Sequence, residues 1–260
     1  TEDTDISPLD LGAYSSRTTL MGGNAVVMAS KDLLQKLFSF MAGLWDCAPG
    51  DLRAGNDRIY NGQDGSKSID WAEGARKYFN DHGPLVGTGW YKPPDNLGGD
   101  YKGAAVGTSP AFSFSSAVCE CRVDLETGRV KLERFFDYHD CGTPINPQAV
   151  HGQVEGAVVM GAGETLMEDV VSDSRGNILH HNLNDYLLMT IGDAPEIFSG
   201  LVDSYEPAGP YGAKEVGEGA TLPVLAAVAH AIANATGVWI KDLPITPEKI
   251  LKALRKAKSP

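Results

Sequence analysis

The sequence predicts an α+β fold, two lobes of mixed sheets covered by helices, and three observations carry that reading. Apolar residues recur at helical spacing through 26–44 and 222–236. They alternate at strand spacing through 112–123 and 130–136, on either side of the turn Asp124-Leu-Glu-Thr-Gly128. A long run rich in Pro and Gly, 92–110, separates the two patterns. The chain has 260 residues, enough for one large domain or two. The lobes are placed at 1–100 and 101–260.

Residues 1–22 are polar and turn-rich. Ser15, Ser16, Arg17, Thr18 and Thr19 concentrate hydroxyls and a guanidinium, which can donate to phosphate or oxo groups or merely cap the next helix. Gly22-Gly23-Asn24 opens that helix, and Val26, Val27, Leu33, Leu34, Leu37, Phe38, Met41 and Leu44 read as its core stripe. A short strand is expected around Arg58-Ile-Tyr60. Ser68 is placed as N-cap of a second helix ending near His82-Gly83. Leu85 to Trp90 reads as a strand leading into the 92–110 loop, whose length marks it as functional or mobile.

The hairpin ends on His139-Asp140-Cys141, either chemistry or a hydrogen-bonded strand end. Asn146-Pro147 is a helix start, with Asn as cap and Pro in the first turn. The helix that follows contains Gly152, Gly156, Gly161 and Gly163, each of which costs about 1 kcal/mol relative to Ala. Close approach of a backbone or of a flat ligand would explain them. Gln153 both donates and accepts, as recognition of a heterocycle edge requires. Strand-like pieces are expected at 170–171, 178–179 and 186–189. The helix 222–236 stops at Gly237, and a last helix follows Ile245-Thr246-Pro247 and ends basic.

Between apolar flanks lies Gly209-Pro-Tyr-Gly-Ala-Lys-Glu-Val-Gly-Glu218-Gly-Ala. It holds too much Gly and Pro for a helix or central strand, and Gly lets backbone N–H groups approach a ligand. Glu218, if partly dry, has a raised pKa and serves as a general base; otherwise it is a helix-entry carboxylate that favours the dipole.

The formal net charge of −12 argues against nucleic acid and anionic membranes. No apolar run approaches a membrane span, and Thr1-Glu-Asp-Thr-Asp5 is no signal peptide. A cytoplasmic location is expected. With no initiating Met, the chain reads as processed or as a piece of a longer polypeptide. Cys47, Cys119, Cys121 and Cys141 lack metal-site spacing and read as reduced thiols, Cys119 and Cys121 on one strand face.

Three segments in this order, Gly152-Gln-Val-Glu-Gly156, Gly212-Ala-Lys-Glu-Val-Gly-Glu218 and Leu243-Pro-Ile-Thr-Pro-Glu-Lys-Ile-Leu251, give the chain a resemblance. It resembles the C-terminal part of the molybdopterin-binding subunit of the xanthine dehydrogenase (molybdenum hydroxylase) family, over essentially its whole length. Within that family, residues 3–17 and 102–114 look closest to the 4-hydroxybenzoyl-CoA reductase large subunit.

The resemblance implies a part of a larger molybdenum-binding subunit that hydroxylates, or reductively dehydroxylates, an aromatic, N-heterocyclic or CoA-thioester substrate. It implies a molybdenum–molybdopterin cofactor in its cytosine dinucleotide form. The metal is held by the pterin dithiolene and by no side chain here. Glu218 matches the base beside it. Ser15, Ser16, Arg17 and Thr18 match the turn near the molybdenum and the phosphates. Val150, His151, Gly152 and Gln153 match the pterin-recognising helix start, and Glu215, Val216 and Gly217 the loop against the cofactor.

The family's upstream Gly-rich cofactor segment, its [2Fe-2S] cysteine spacing and any FAD motif are absent here. The implied partners are therefore another Mo-binding chain or a missing N-terminal part, an iron–sulfur subunit and an FAD subunit. The alternative is a non-catalytic assembly subunit that holds cofactor without supplying the base. A hydrolase using His139 and Asp140 has no accompanying nucleophile motif.

Overall fold

The computed structural model describes residues 3–7, 12–94 and 110–258. The chain divides into two compact units, one of residues 20–106 and one of residues 1–19 with 107–260. The expected boundary at 100/101 lies outside the described residues. The first 19 residues cluster with the C-terminal unit, not with the lobe that follows them.

The 20–106 unit is built on α1 (Thr18–Trp45), whose first two residues belong to the other unit, and on α2 (Trp71–His82). A small antiparallel sheet runs in the order β1 (Leu52–Gly55), β2 (Arg58–Asn61), β3 (Ser68–Asp70). α1 starts four residues before the expected Gly22. Leu20, in its first turn, is fully buried, and that burial offsets the cost of two helical glycines. Leu37 and Met41 are core with Leu52 and Ile59. Val26 (65% exposed) and Leu44 (53%) are not. Three strands of three or four residues cannot cover a 28-residue helix, which is roughly 42 Å long.

Ser68 is not a cap. It lies in β3 opposite Tyr60, and Asp70 caps α2 by accepting from the Ala72 and Glu73 N–H groups. Residues 85–90 form no strand. Their alternating glycines lie against α1: a Cβ on Gly87 would sit 2.2 Å from Ala29 O, and one on Gly89 2.2 Å from Ala29 N. Asp32 Oδ2 accepts from Thr88 N (2.7 Å), and Lys36 Nζ donates to Val86 O (2.9 Å). The period-two pattern is thus spent on a helix surface, not on a sheet.

The other unit carries a sheet of order β4 (Phe114–Val123), β5 (Val130–Asp140), β6 (Glu196–Leu201). β4 and β5 form the expected hairpin, and β6 runs parallel to β5. Opposite Glu120 and Cys121 the register shifts, leaving Glu133 extra on β5. The bulge lets Leu132 and Phe135, three residues apart, face the same core. That core is completed by α3 (Pro147–Leu166), α4 (Leu222–Thr236) and α5 (Pro247–Lys258) through Val158, Ala162, Val224, Val228, Ile232 and Ile250.

Asn146 caps α3, as its sequence requires, by accepting from Ala149 N. Of the four α3 glycines, Gly161 packs on Val224 and Gly163 on Glu168, while Gly152 and Gly156 face open space. The pieces at 170–171 and 178–179 reduce to one bridge, Ser172 to Ile178, and 186–189 forms no strand. All four cysteines are free thiols, and Cys119 and Cys121 share the core-facing side of β4. Among the described residues no helix is long and apolar enough to cross a membrane.

Candidate functional site

Three backbone segments of the C-terminal unit converge at one end of its sheet. The first is the turn Tyr14–Ser16, in which Ser15 (φ 51°) and Ser16 (φ 50°) are both left-handed. Non-glycine residues adopt that conformation only where the surroundings impose it. Glu218 supplies the constraint: its N–H donates to Ser16 Oγ (3.0 Å), and the same hydroxyl donates to Glu218 Oε2 (3.1 Å). One hydroxyl therefore clasps the N-terminal turn to the loop 209–221.

The second segment is the start of α3, where Asn146, Val150 and Gln153 face the same space. The third is the loop itself, opened by the one-turn helix Pro210–Gly212. It is stapled to the end of β5 by Thr143 N to Gly212 O (2.7 Å) and Lys214 N to Cys141 O (3.0 Å). Gly142 has φ +67°, and a Cβ there would lie 2.1 Å from Gly212 O, so only glycine fits.

Successive strand residues point to opposite faces, and the loop grips both faces of β5. On one side Lys214 Nζ donates to Asp140 Oδ2 (2.7 Å) and Phe112 O (2.8 Å), and Ser204 Oγ donates to Asp140 Oδ1. This ion pair is nearly dry, with side chains 7% and 14% exposed. Burial acts to raise the Asp140 carboxyl, but the hydrogen bonds from Lys214, Ser204 and Gly142 N outweigh it and hold it below its ordinary range.

On the other side His139 is fully buried. Its Nδ1 lies 2.7 Å from Ser115 Oγ and its Nε2 3.5 Å from Glu215 O. Burial pushes its pKa below the usual histidine range. Of the two sequence readings of His139, the hydrogen-bonded one holds, because a sealed imidazole has no access to a hydrolysable substrate.

A cavity of about 520 Å³ lies among the three segments. From the expected set, Ser16, Thr18, Val150, Gln153, Val216 and Gly217 line it. Ser15, Arg17, His151, Gly152, Glu215 and Glu218 do not. His151 Nδ1 shares a hydrogen bond with Ser199 Oγ (2.7 Å) and so turns to β6. Ser15 and Gly152 are exposed, and Arg17 is half-buried.

Glu218 differs from expectation in one respect: it is exposed, not dry. The carboxylate with a buried oxygen is that of Glu215, three residues earlier. Burial raises its pKa, and its Oε2 has no hydrogen-bond partner among the described residues. Thr143 and Lys214 line the cavity without being singled out by the sequence. The signal was Gly142: a glycine directly after a strand, followed by an Asn-Pro helix start, marks a forced turn whose neighbours face inward.

The cavity joins hydroxyls, two carboxamides and the starts of two helices, α1 at Thr18 and α3 at Pro147. Helix starts favour anions, above all phosphate. Among the described residues no cluster of His, Cys, Asp or Glu could hold a metal ion.

A family model described as the molybdopterin cofactor-binding domain matches residues 1–195. The Escherichia coli K12 protein named "Probable hypoxanthine oxidase XdhD" is 33% identical over 255 residues, 98% of this chain and 25% of that protein. The carbon monoxide dehydrogenase large chain of Hydrogenophaga pseudoflava is 29% identical over 259 residues, 97% of this chain and 31% of the relative. Among solved structures, quinoline 2-oxidoreductase from Pseudomonas putida 86 superposes with a TM-score of 0.84 at 26% identity, covering 98% of this chain and 32% of that one. The chain thus spans a quarter to a third of the length of these relatives.

Proposed function

The chain belongs to the molybdopterin cofactor-binding domain family of molybdenum-dependent, xanthine dehydrogenase-like oxidoreductases, and from that premise we propose that it forms one wall of a molybdenum active site with Glu218 as the base. The observation that carries this reading is the Ser16 clasp. It orients the Glu218 carboxylate beside the cavity, holding Oε2 and leaving Oε1 without a hydrogen bond among the described residues.

The residues fit a phosphate-bearing pterin. Thr18 and Thr19 offer hydroxyls at a helix start, and Gln153 offers both edges of an amide. A Cβ on Gly217 would come within 2.8 Å of Ser16 Oγ and 3.3 Å of Gln153 Oε1, so the cradle requires bare backbone there. When bound, the cofactor supplies the two-electron redox chemistry. Glu218 takes and returns the proton at Oε1, and Val150 and Val216 keep the inner wall apolar.

The substrate proposed is an aromatic or N-heterocyclic compound, hydroxylated or reductively dehydroxylated. The likeness of residues 3–17 and 102–114 to 4-hydroxybenzoyl-CoA reductase favours an aromatic CoA thioester and the cytosine dinucleotide cofactor. The remaining cofactor contacts would come from the rest of a molybdenum-binding subunit, and [2Fe-2S] and FAD partners would carry the electrons in a cytoplasmic complex. Support for an attached partner comes from the uncovered side of the β4–β5–β6 sheet, where Phe114, Val118, Tyr138 and Phe198 are 41–69% exposed.

The test is Glu218→Gln in the native complex, with metal analysis and mass spectrometry of every co-purifying chain. The expected result is a loss of turnover of about 10²–10⁴-fold with molybdenum content retained. Unchanged turnover would leave the non-catalytic, cofactor-holding subunit as the reading.

A further inference from the structure

The hydrogen bonds around His139 contain fewer protons than acceptors. Ser115 Oγ donates to Gly219 O (2.9 Å) and lies 2.7 Å from His139 Nδ1, while Nε2 faces Glu215 O (3.5 Å). Residues 215 and 219 bracket Glu218. A serine has one hydroxyl proton and a neutral imidazole one N–H. With the imidazole proton on Nε2, the Glu215 carbonyl is held. Ser115 must then donate to Nδ1, and Gly219 O is released. With it on Nδ1, Ser115 accepts and keeps its own proton for Gly219 O, but a bare lone pair faces Glu215 O. Only the imidazolium holds both carbonyls.

We propose that His139 is a positioning residue whose protonation decides whether the loop carrying Glu218 is clamped at both ends or at one. The role assigned to that loop rests on Glu218 as base; the clamp itself does not. Two features make the choice consequential. His139 is fully buried, away from bulk water. Gly219 has no slack: a Cβ there would meet His139 Cε1 at 2.8 Å and both Glu215 Oε1 and Ser113 Oγ at 2.6 Å.

Three titratable groups share this buried patch. Asp137 lies two residues before His139 on the same strand face, fully buried, with neither carboxylate oxygen hydrogen-bonded among the described residues. Glu215 brings a second carboxylate with one orphaned oxygen. Asp140 and Lys214 flank from the opposite face as a closed ion pair, and α3 contributes His151, bonded to Ser199. Burial raises Asp137 and Glu215 and lowers His139, so each resists its own charge. A proton taken up from solvent by the imidazole while Asp137 or Glu215 stays ionised creates a mutually compensating pair and closes the clamp.

The test is hydrogen–deuterium exchange of the native complex from pH 5 to 8, corrected for intrinsic rates and followed on peptides spanning 213–221. The expected result is protection rising roughly fivefold as pH falls through one titration, the factor expected for about one net hydrogen bond. His139→Gln keeps an N–H toward Glu215 but cannot charge, and its profile is flat with KM retained. Ser115→Ala, which removes the second arm, also flattens it. Glu218→Gln keeps the step, whatever its turnover, so failure of the base assignment is read separately. A flat wild-type profile, or a step that survives His139→Gln, overturns the proposal.

Discussion

The two faces of the β4–β5–β6 sheet invert the usual rule. The face covered by helices holds Asp137 and His139 at zero exposure on the same strand face as the core residue Phe135. The open face exposes Phe114, Val118 and Tyr138, with Phe136 and Phe198 stacked at 4.8 Å. An unpartnered buried carboxylate costs stability, and an aromatic surface in water gains none. The difference teaches that burial on this sheet does not follow side-chain polarity alone. The inner face holds titratable groups near the loop of Glu218, and the outer face leaves its aromatic rings in water.

The comparison breaks most visibly at the end of β5. Lys214→Ala strands Asp140 in a nearly dry site and is expected to destabilise the unit by about 3–5 kcal/mol in chemical denaturation.

Asp137 gives the next effect. Burial raises its pKa to about 6, above the ordinary unfolded value near 3.9, so the native state binds the extra proton. Its contribution is fully present below pH 4 and is lost as pH rises through 6, about 3 kcal/mol in all. Asp137→Asn should remove that slope and leave the protein more stable than wild type at pH 8. An unchanged slope would assign the pH dependence to other groups.

Ser16→Ala deletes both bonds of an exposed clasp and should cost about 1 kcal/mol, with cofactor retention reduced before stability is. Phe198→Ser, on the outer face, should move the stability of the chain by no more than about 0.5 kcal/mol while reducing recovery of co-purifying chains. A large stability loss there would show the aromatic face to be core.

What could be read from the sequence follows from where its signals are local. The hairpin, the Asn146 cap, the Gly237 stop and the terminal helix are dictated by residues a few positions apart, and the structure has them all. Ser16 and Gln153, singled out by their polar side chains, and Val216 and Gly217, implied by the resemblance alone, all line the cavity. The strand at 85–90 was misread because Gly-Thr-Gly alternation is the same whether a chain pairs with a strand or lies on a helix. Which glutamate has a buried oxygen was out of reach too. Glu215 and Glu218 share one loop and one composition, and only the fold of Gly219 over His139 separates them. The core stripe of α1 was overextended because periodicity reports a face, not how much of that face is covered.

The Ser16–Glu218 clasp also sets an order of assembly. Its two residues are 202 positions apart. At about 5–20 residues per second a ribosome takes roughly 10–40 s to cover that distance. Throughout that interval the 14–16 turn has been made and its only described partner in the clasp has not. The 20–106 unit, with every strand partner of its sheet already synthesised, has time to fold first. The site therefore cannot form until the loop 209–221 has been made, so a ribosome that stalls before residue 218 leaves the 14–16 turn without its clasp.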